Sequence, residues 1–325
     1  MITRIQIENY RSFMKAEVTL RPFSLIIGPN GAGKSNLLRF FQDVSALFIK
    51  KVSVPWIHHV SNAGLKMPCS FRLDSSDGTS FSATITTSSE ITKKGDLPWP
   101  YVLPIFNLDP AKISASETIT LAPSIQGDGS GTVQVLESLK NGDREDLFKS
   151  IEENFHMYVP EAEKLSLRTV EDGKKQIQIR EVGLDDYITP GDELSEGTRL
   201  LLAVLTIIHQ ENPPPVILLE DIDRGMHPRI FEKMVPLMRD IAAKHDINIL
   251  ATTHNPYLVN CFYEDREAVI IVEKKDGESV LHTLAERMEG LDYDSVDPED
   301  MPLGLLWFTG LVGGVPLKFK QTSTH

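Results

Sequence analysis

The first strong hydrophobic pattern is a short apolar stretch followed by an amphipathic one. Phe23–Ile27 is apolar at four of its five positions, which is typical of a strand buried on both faces. After a glycine-rich turn, apolar residues recur at helical spacing from position 36 onwards, at Leu37, Phe40, Phe41, Val44, Leu47 and Phe48. The pattern therefore predicts a buried strand, a tight turn and a helix in direct succession.

The rest of the first half favours antiparallel strands. Ile5 and Ile7, and then Val18 and Leu20, alternate with polar neighbours, which predicts two strands before the buried one. Residues 69–88 have the alternation of a hairpin with its turn at 75–78. Residues 89–143 lack strong periodicity and are rich in Pro, Gly and Ser, so we predict an irregular, lid-like insertion there.

The second half alternates helices with apolar strands. The predicted elements are a helix over 143–157, a hairpin with its turn at Asp172 and Gly173, a buried helix over 198–210, a strand at Val216–Leu219, a helix from Pro228 towards Lys244 kinked at Pro236, and strands at 247–252 and 269–273. This order predicts an α/β fold whose mostly parallel sheet has flanking helices, beside an antiparallel β subdomain. No heptad run long enough for a coiled coil is present. We expect three parts of the chain: an N-terminal lobe at 1–88, an irregular or helical lid-like insertion at 89–160 and a C-terminal lobe at 161–325.

The turn after the first buried strand has the sequence GPNGAGKS, at residues 28–35. It matches the phosphate-loop pattern G-x-x-x-x-G-K-[ST], in which backbone N–H groups surround the α- and β-phosphates of a nucleotide. Lys34 can reach the β- and γ-phosphates, and the Ser35 hydroxyl can ligate Mg²⁺. The sequence therefore predicts binding of ATP with Mg²⁺ by Asn30, Gly31, Ala32, Gly33, Lys34, Ser35 and Asn36.

Two adjacent acids end a later apolar strand, in the sequence VILLED at residues 216–221. Ligands bind at the carboxyl ends of strands in open α/β sheets, so these acids are expected beside the phosphate loop. Glu220 can hold Mg²⁺, and Asp221 can orient or deprotonate the attacking water. The alternative is an acidic helix cap after a core strand.

Two further segments place polar residues at the end of a predicted strand and at the start of a predicted helix. His254 follows the strand at 247–252 and can hydrogen-bond a γ-phosphate, although a structural histidine is the alternative. Ser195 and Gly197, in the sequence LSEGT, open the buried helix, where backbone N–H groups and the helix dipole attract anions. The simpler interpretation of Ser195 is a helix N-cap.

Composition and charge restrict the binding partners and the cellular location expected of the protein. The 325 residues carry a net charge of −13, which argues against a surface that broadly coats nucleic acid. Local basic pairs occur at residues 50–51 and 93–94, where solvated loops are the alternative. Cys69 and Cys261 are too few for a disulfide framework or a zinc site. No apolar run is long enough for a membrane span and the opening lacks a signal-peptide core, so we expect a cytoplasmic protein without a membrane partner.

The order phosphate loop, LSEGT, LLED and TTH resembles that of the ABC-type ATPases, specifically their RecF/SMC-like branch. The opening ITRIQIENYRSF and the sequence DRGMHP at 223–228 resemble further segments of that branch. The resemblance covers about residues 1–48 and 190–273. A finer resemblance is to stand-alone AAA-family ATPases related to the overcoming-lysogenization-defect (OLD) family, many of which are associated with phage defence.

The resemblance implies a homodimer with ATP sandwiched between its subunits. Arg11 and Ser12 would lie near the nucleotide, and Ser195 and Gly197 would contact the γ-phosphate of the partner subunit's ATP. The resemblance also implies that Asp223 lies in the loop that crosses the dimer interface and that His254 acts as the switch histidine.

The chain departs from the family in its acidic pair. Relatives usually have Asp or Glu followed by Glu, whereas this chain has Glu220 and then Asp221, so the proposed base is one methylene shorter. Ile222 replaces a proline that is common after the pair. The glutamine expected to link Mg²⁺ to the lid is not identifiable, and the loop with His58 and His59 stands nearest to its place.

These features predict an ATPase that acts as an ATP-driven dimerisation switch and controls an effector protein. The alternative is a RecF-like DNA-binding ATPase of DNA repair. An OLD-type nuclease is not expected, because only about 50 residues follow Glu273 and the acidic cluster at 292–300 matches no metal-loop spacing. The apolar tail at 304–316 is predicted either to close the core or to form a docking surface.

Overall fold

The computed structural model describes residues 1–50, 67–183, 187–289, 291 and 301–315. The chain forms two compact units, of which the first combines Met1–Val102 with Leu250–His325 and the second is Leu103–Ile249. The loop with His58 and His59 and the acidic cluster at 292–300 lie outside the described residues.

The strands of the described residues are, in chain order, β1 (Ile2–Tyr10), β2 (Phe13–Thr19), β3 (Phe23–Ile27), β4 (Cys69–Ser75), β5 (Ser80–Ile85), β6 (Ile91–Lys94), β7 (Ile105–Phe106), β8 (Ala162–Thr169), β9 (Lys175–Glu181), β10 (Ile188–Pro190), β11 (Val216–Leu219), β12 (Asn248–Thr252), β13 (Val269–Lys275) and β14 (Glu278–Thr283). The α-helices are α1 (Lys34–Ser45), α2 (Pro110–Ile113), α3 (Thr132–Asn141), α4 (Glu145–Tyr158), α5 (Glu196–His209), α6 (Phe231–Lys244), α7 (Pro256–Asn260), α8 (Leu284–Glu289) and α9 (Leu303–Phe308).

The first unit contains an antiparallel sheet with strand order β2-β1-β4-β5-β6. Its alternating apolar residues face α1, whose aromatic stripe packs on them. The ring of Phe40 lies edge-on to Tyr10 at 5.5 Å and to Phe71 at 5.3 Å between centroids. Edge-to-face geometry is the favourable arrangement for such rings. The predicted helical stripe is confirmed as far as Val44, with Phe41 and Val44 also fully buried, whereas Leu47 and Phe48 lie in a π-helical turn after α1 and are half-buried.

The same unit contains the parallel pairing that the alternation predicts. β13 lies between β3, which runs parallel to it, and β14, which runs antiparallel. All five residues of β3 are buried, in agreement with its nearly continuous apolar sequence. In the second unit, β11 pairs in parallel with β7. The predicted mostly parallel sheet with an antiparallel subdomain is therefore confirmed.

The division between the units falls inside β12. In the second unit, the N–H of Asn248 donates to the Pro215 carbonyl at 2.9 Å. In the first unit, the N–H of Thr253 donates to the Ile26 carbonyl at 3.3 Å.

The second unit is organised around α5, against which α2, α3 and α4 pack. This helix is buried nearly all round because its residues are apolar nearly all round. Its one fully buried hydroxyl, Thr206 Oγ1, donates to the Leu202 carbonyl at 2.7 Å, which removes the cost of burying it. The hairpin β8–β9 and the short β10 form a three-stranded sheet in this unit.

The expectation of irregular structure over residues 89–143 is wrong for several stretches, because β6, β7, α2 and α3 lie there. The start of α3 shows why local patterns missed it. Its N-terminal amides are satisfied from a distance, as the Glu117 carboxylate accepts from the N–H of Gly131 at 2.6 Å and of Gln134 at 3.3 Å. A capping residue normally stands directly before the helix. The lid-like role stays a prediction.

The apolar tail packs on one face and is exposed on the other. Leu306 and Trp307 are buried, and Trp307 Nε1 donates to the Gly314 carbonyl at 2.8 Å. The N–H of Gly314 in turn donates to the Glu273 carboxylate at 2.6 Å. Phe308 is 72% exposed. Core packing is therefore confirmed for one face of α9, and docking on the other stays a prediction.

The helices of the described residues are too short for a long coiled coil or a membrane span. The longest α-helices have 14 residues, so no long coiled coil is present there, as predicted. Among the described residues, no helix combines the length and the apolar character that crossing a membrane requires.

The two cysteines differ in burial, which predicts different reactivity. Cys69 is fully buried on β4, and burial raises the pKa of its thiol to about 12, whereas Cys261 is partly exposed. Because the thiolate is the reactive form, we expect one thiol to react with a chromogenic disulfide reagent at pH 8 in the native protein, and both in denaturant. Cys261→Ser should abolish the native reaction and Cys69→Ser should preserve it. Rapid native labelling of the Cys261→Ser variant would contradict the burial of Cys69.

Candidate nucleotide-binding site

Residues 28–33 connect β3 to α1, and Lys34 and Ser35 of the motif begin the helix, so the predicted strand, loop and helix are confirmed. Three glycines of this phosphate loop adopt positive φ angles, 146° at Gly28, 75° at Gly31 and 119° at Gly33. Residues other than glycine rarely adopt such φ angles. The glycine spacing of the motif thus corresponds to the turns of the backbone.

The surroundings of these glycines differ. A Cβ on Gly28 would lie 2.2 Å from the Val272 carbonyl oxygen, and one on Gly33 would lie 2.5 Å from Ser279 Oγ. A Cβ on Gly31 would meet no atom of the described residues within 4 Å. The two ends of the loop are therefore packed against backbone and side chains, while its middle is open.

Lys34 lies within the loop and is only 8% exposed. Its ammonium donates to the carbonyls of Gly28 at 2.8 Å and of Pro29 at 3.2 Å. These two carbonyls orient the ammonium inside the loop. This arrangement fits the phosphate-binding role expected of the lysine.

The start of α1 is electrostatically suited to an anion. Its N-cap is Gly33, which has no side chain to cap the helix, and its first turn contains no acidic residue. The positive end of the helix dipole lies there, and Ser35 and Asn36 belong to this first turn. No carboxylate within the turn therefore competes with a bound phosphate.

Arg11 is held against α1. Its guanidinium donates to Asp43 Oδ2 at 2.7 Å and to the Tyr10 hydroxyl at 2.9 Å. Burial, reinforced by the Asp43 carboxylate, raises the pKa of Tyr10 well above its usual value, so the phenol stays protonated and donates to Asp43 at 2.8 Å. The structure thus orients Arg11 through α1, and its contact with a nucleotide stays a prediction.

Ser12 and Asn36, both predicted to be near the nucleotide, contact each other. Asn36 Nδ2 donates to Ser12 Oγ at 2.8 Å. A third residue, Ser279 on β14, lies with its Oγ 2.8 Å from Ser12 Oγ. Sequence reasoning missed Ser279, because no motif surrounds it and only strand pairing brings it to the loop.

His254 is exposed between β12 and α7. The segment around it is fixed by local bonds, since the N–H of Asn255 donates to Thr253 Oγ1 at 2.9 Å and Asn255 Oδ1 caps α7 through the N–H of Tyr257. The loop therefore presents His254 from a defined backbone, and its switch role stays a prediction.

In the second unit, the LSEGT segment begins α5. Ser195 Oγ accepts from the N–H of Thr198 at 3.1 Å, so Ser195 is a helix N-cap, and its side chain is exposed. A Cβ on Gly197 would lie only 2.2 Å from the Gly225 carbonyl oxygen. The start of α5 and the DRGMHP segment (residues 223–228) are thus in close backbone contact.

The acidic pair directly follows β11 in the second unit. The N–H of Glu220 donates to the Phe106 carbonyl at 2.8 Å, which extends the strand pairing by one residue. Asp221 is exposed and adopts a φ of 49°, and its carbonyl accepts from the N–H of Arg224 at 3.0 Å. Glu220 therefore continues the strand, whereas Asp221 turns the chain.

The donor chemistry fits Mg²⁺. The carboxylate of Glu220 and the hydroxyl of Ser35 are hard oxygen ligands of the kind this ion prefers. No group of three His, Cys, Asp or Glu residues that could hold a metal occurs in the described ranges. Mg²⁺ is commonly bound by one or two protein ligands, with phosphates and water completing the shell.

A groove of about 610 Å³ lies beside the start of α5 in the second unit. Its lining includes residues of both the LSEGT and the DRGMHP segments, namely Ser195, Gly197, Thr198, Gly225, Met226 and His227. Within this unit, the structure thus brings together Ser195, Gly197 and the segment that follows the acidic pair.

Two parts of the chain match family models of ATPase domains. Residues 1–94 match the "AAA ATPase domain" family, and residues 121–260 match the family described as "AAA domain, putative AbiEii toxin, Type IV TA system". Each match covers less than half of the chain. No curated protein matches it.

Solved structures similar to the chain include several SMC heads. The SMC head domain from Thermotoga maritima has a TM-score of 0.56 at 16% identity, covering 87% of this chain and 98% of that one. An SMC head bound to the C-winged helix domain of ScpA gives 0.56 at 14%, with 89% and 99% covered. The Pyrococcus furiosus head with an extended coiled coil, bound to the C-terminal domain of ScpA, gives 0.54 at 13%, with 89% and 98% covered.

These similarities show that the chain has the fold of an SMC head, which is an ABC-ATPase type of fold. The two AAA-type family matches support an ATPase.

The different surroundings of the loop glycines give a matched pair of variants. Gly28→Ala combines an unfavourable φ with a clash against the β13 backbone, so we expect it to lower the free energy of unfolding by about 3 kcal/mol or more. Gly31→Ala is strained only in φ and should cost about 1–2 kcal/mol. Chemical denaturation measures both, and equal losses would contradict the packing of Gly28 against β13.

Proposed function

We propose that the protein binds and hydrolyses ATP and that it works as an ATP-driven dimerisation switch. The observation that carries the proposal is the phosphate loop, whose glycines have the required backbone angles and whose lysine is oriented inside it. Such a loop binds the phosphates of a nucleotide largely through backbone N–H groups.

The residues of the proposed reaction have distinct roles. Ser35 and Glu220 would supply oxygen ligands for Mg²⁺, and the ion would neutralise negative charge on the phosphates. Asp221 orients the attacking water and accepts its proton. His254 hydrogen-bonds the γ-phosphate and responds to its loss. Lys34 stabilises the negative charge on the β- and γ-phosphates.

Dimerisation is proposed to complete the site. Ser195 is exposed at the start of the long helix α5, and the groove beside it is open, which supports contact with a nucleotide bound by a second subunit. Ser195 would then contact the γ-phosphate only in the closed dimer, with Gly197 beside it and Asp223 in the loop that crosses the interface. A ligand shifts an equilibrium only through such a difference between states.

We further propose that the dimer controls an effector protein. Two of the similar SMC heads are bound to domains of ScpA, which supports a protein partner for a head of this fold. The family description that mentions a putative AbiEii toxin and a toxin–antitoxin system supports a role in defence against phage, of the kind associated with ATPases related to the OLD family.

The central test uses an Asp221→Asn variant, which removes the carboxylate proposed to activate water. We expect ATP and Mg²⁺ to shift this variant to the dimer position in size-exclusion chromatography, because the ATP-bound state is no longer consumed. Asp172→Asn is the matched control, since Asp172 is also exposed and has a φ of 60°, and it should behave like the wild type. Lys34→Ala should bind ATP much more weakly and stay monomeric.

Two outcomes count against the proposal. An Asp221→Asn protein that binds ATP but stays monomeric would remove the dimerisation switch. A Lys34→Ala protein with unchanged ATP affinity would remove the phosphate-loop assignment.

A second candidate function, a RecF-like DNA-binding ATPase, is favoured by one observation. Lys15, Arg72, Lys93 and Lys94 line a shallow concavity of about 470 Å³ on the five-stranded sheet of the first unit. Glu8 and Glu17 line it as well, and the net charge of −13 opposes binding to phosphates.

DNA binding is tested by filter binding with ATP at two salt concentrations. If the concavity contacts phosphates, Lys94→Ala should reduce the steepness of the salt dependence by about one contact, whereas Lys149→Ala, an exposed lysine of the second unit, should leave it unchanged. Absence of binding at low salt would exclude this second function.

A further inference from the structure

We propose that Ser279 is a positioning residue that sets the orientation of the phosphate loop. The inference rests on the proposed nucleotide binding and adds a residue to it. Ser279 lies on β14, more than two hundred positions along the chain from the loop, and is 1% exposed. Its side chain and its backbone both contact the segments that are expected to surround the nucleotide.

Three hydrogen bonds connect Ser279 to these segments. Its N–H donates to the Ser12 carbonyl at 2.7 Å. Its Oγ lies 2.8 Å from Ser12 Oγ and within hydrogen-bonding distance of the Ala32 carbonyl. Ser12 Oγ in turn accepts from Asn36 Nδ2 at 2.8 Å.

The Ser279 hydroxyl is the donor at the centre of this cluster, because its single proton faces two acceptors, the Ala32 carbonyl and Ser12 Oγ. Ser12 Oγ also accepts from the Asn36 amide. Ser279 thus connects the loop carbonyl to Ser12, and Asn36 connects Ser12 to the start of α1, so the hydrogen bonds of the cluster depend on one another.

Fixing the Ala32 carbonyl also fixes the next backbone donor. In a planar trans peptide, the carbonyl and the following N–H point in opposite directions, so a carbonyl held by Ser279 directs the Gly33 N–H to the other side of the peptide plane. The Gly33 N–H is one of the donors through which a phosphate loop holds its ligand. Ser279 therefore holds this donor in place before the ligand arrives, which reduces the entropic cost of binding.

Gly33, the third glycine of the loop, is adapted to the same contact. A Cβ on Gly33 would lie 2.5 Å from Ser279 Oγ and 3.1 Å from Ser12 Oγ. A side chain at this position would push the serines away from the loop. Gly33 thus permits both the loop conformation, with its φ of 119°, and the approach of Ser279.

The test measures the affinity of MgADP by calorimetry for the wild type, Ser279→Ala and Ser279→Thr. Ser279→Ala leaves the Ala32 carbonyl and the Ser12 hydroxyl without this partner, so we expect the dissociation constant to rise about 10-fold. Ser279→Thr keeps the hydroxyl and should bind within about 3-fold of the wild type. A purely structural role for Ser279 would change the melting temperature without changing the affinity.

Ser45→Ala is the matched control. Ser45 is also fully buried and accepts from Trp99 Nε1 at 2.9 Å while it donates to the Phe41 carbonyl at 2.6 Å. It lies at the opposite end of α1 from the loop, about 16 Å along the helix axis. This variant should lower the melting temperature but leave the affinity for MgADP unchanged.

Ser12→Ala removes a second member of the same hydrogen-bonded cluster and gives a measurement that does not depend on the folding of Ser279→Ala. Because both variants disrupt one cluster, their effects on affinity should be less than additive in the double variant. Full additivity, or a wild-type affinity in Ser279→Ala, would overturn the inference and leave the proposed nucleotide binding intact. Failure of the wild-type protein to bind any nucleotide would overturn the proposed function itself.

Discussion

The close approach of Gly28 to the β13 backbone determines where the phosphate loop can lie. Ile27, the last residue of β3, pairs with Ile271, and the next residue of the loop then has its Cα against the Val272 carbonyl. No side chain fits into this contact. Because β3 and β13 run parallel and are both buried, the loop begins at a fixed point above the sheet. Its far end is fixed by Ser279, which belongs to the strand after β13, so strand pairing positions the loop at both ends.

The second unit also contains a close backbone contact that glycine permits. The start of α5 lies against the DRGMHP segment because neither Gly197 nor Gly225 has a side chain, and Gly225 also has a φ of 68°. In both units, therefore, a glycine allows a helix N-terminus, or the loop before it, to touch another backbone segment. Residues for which we propose nucleotide contacts lie at these points. Contacts between backbones are less adaptable than contacts between side chains, which suits groups that must be placed accurately before a ligand binds.

Local patterns predicted the parts of the fold that local sequence determines. The succession of β3, loop and α1, and the buried helix α5, follow from periodicity and from a motif whose glycines have a backbone function. The start of α3 could not be predicted in this way, because its cap is Glu117 rather than a neighbouring residue. The role of Ser279 could not be predicted for the same reason. A serine that follows a turn at Asp276 and Gly277 has no distinguishing sequence, and its meaning depends on which strand lies next to its own.

The order of the acidic pair has a conformational explanation. Asp221 adopts a left-handed backbone with a φ of 49°, directly after a residue that still belongs to the strand pairing. Short polar side chains such as Asp tolerate this region better than longer ones such as Glu, because they can hydrogen-bond locally. Glu220 stands where the backbone N–H still pairs with β7 and Asp221 stands where the chain turns, so the sequence Glu-Asp matches the two positions. The consequence is a shorter side chain at the position proposed to activate water.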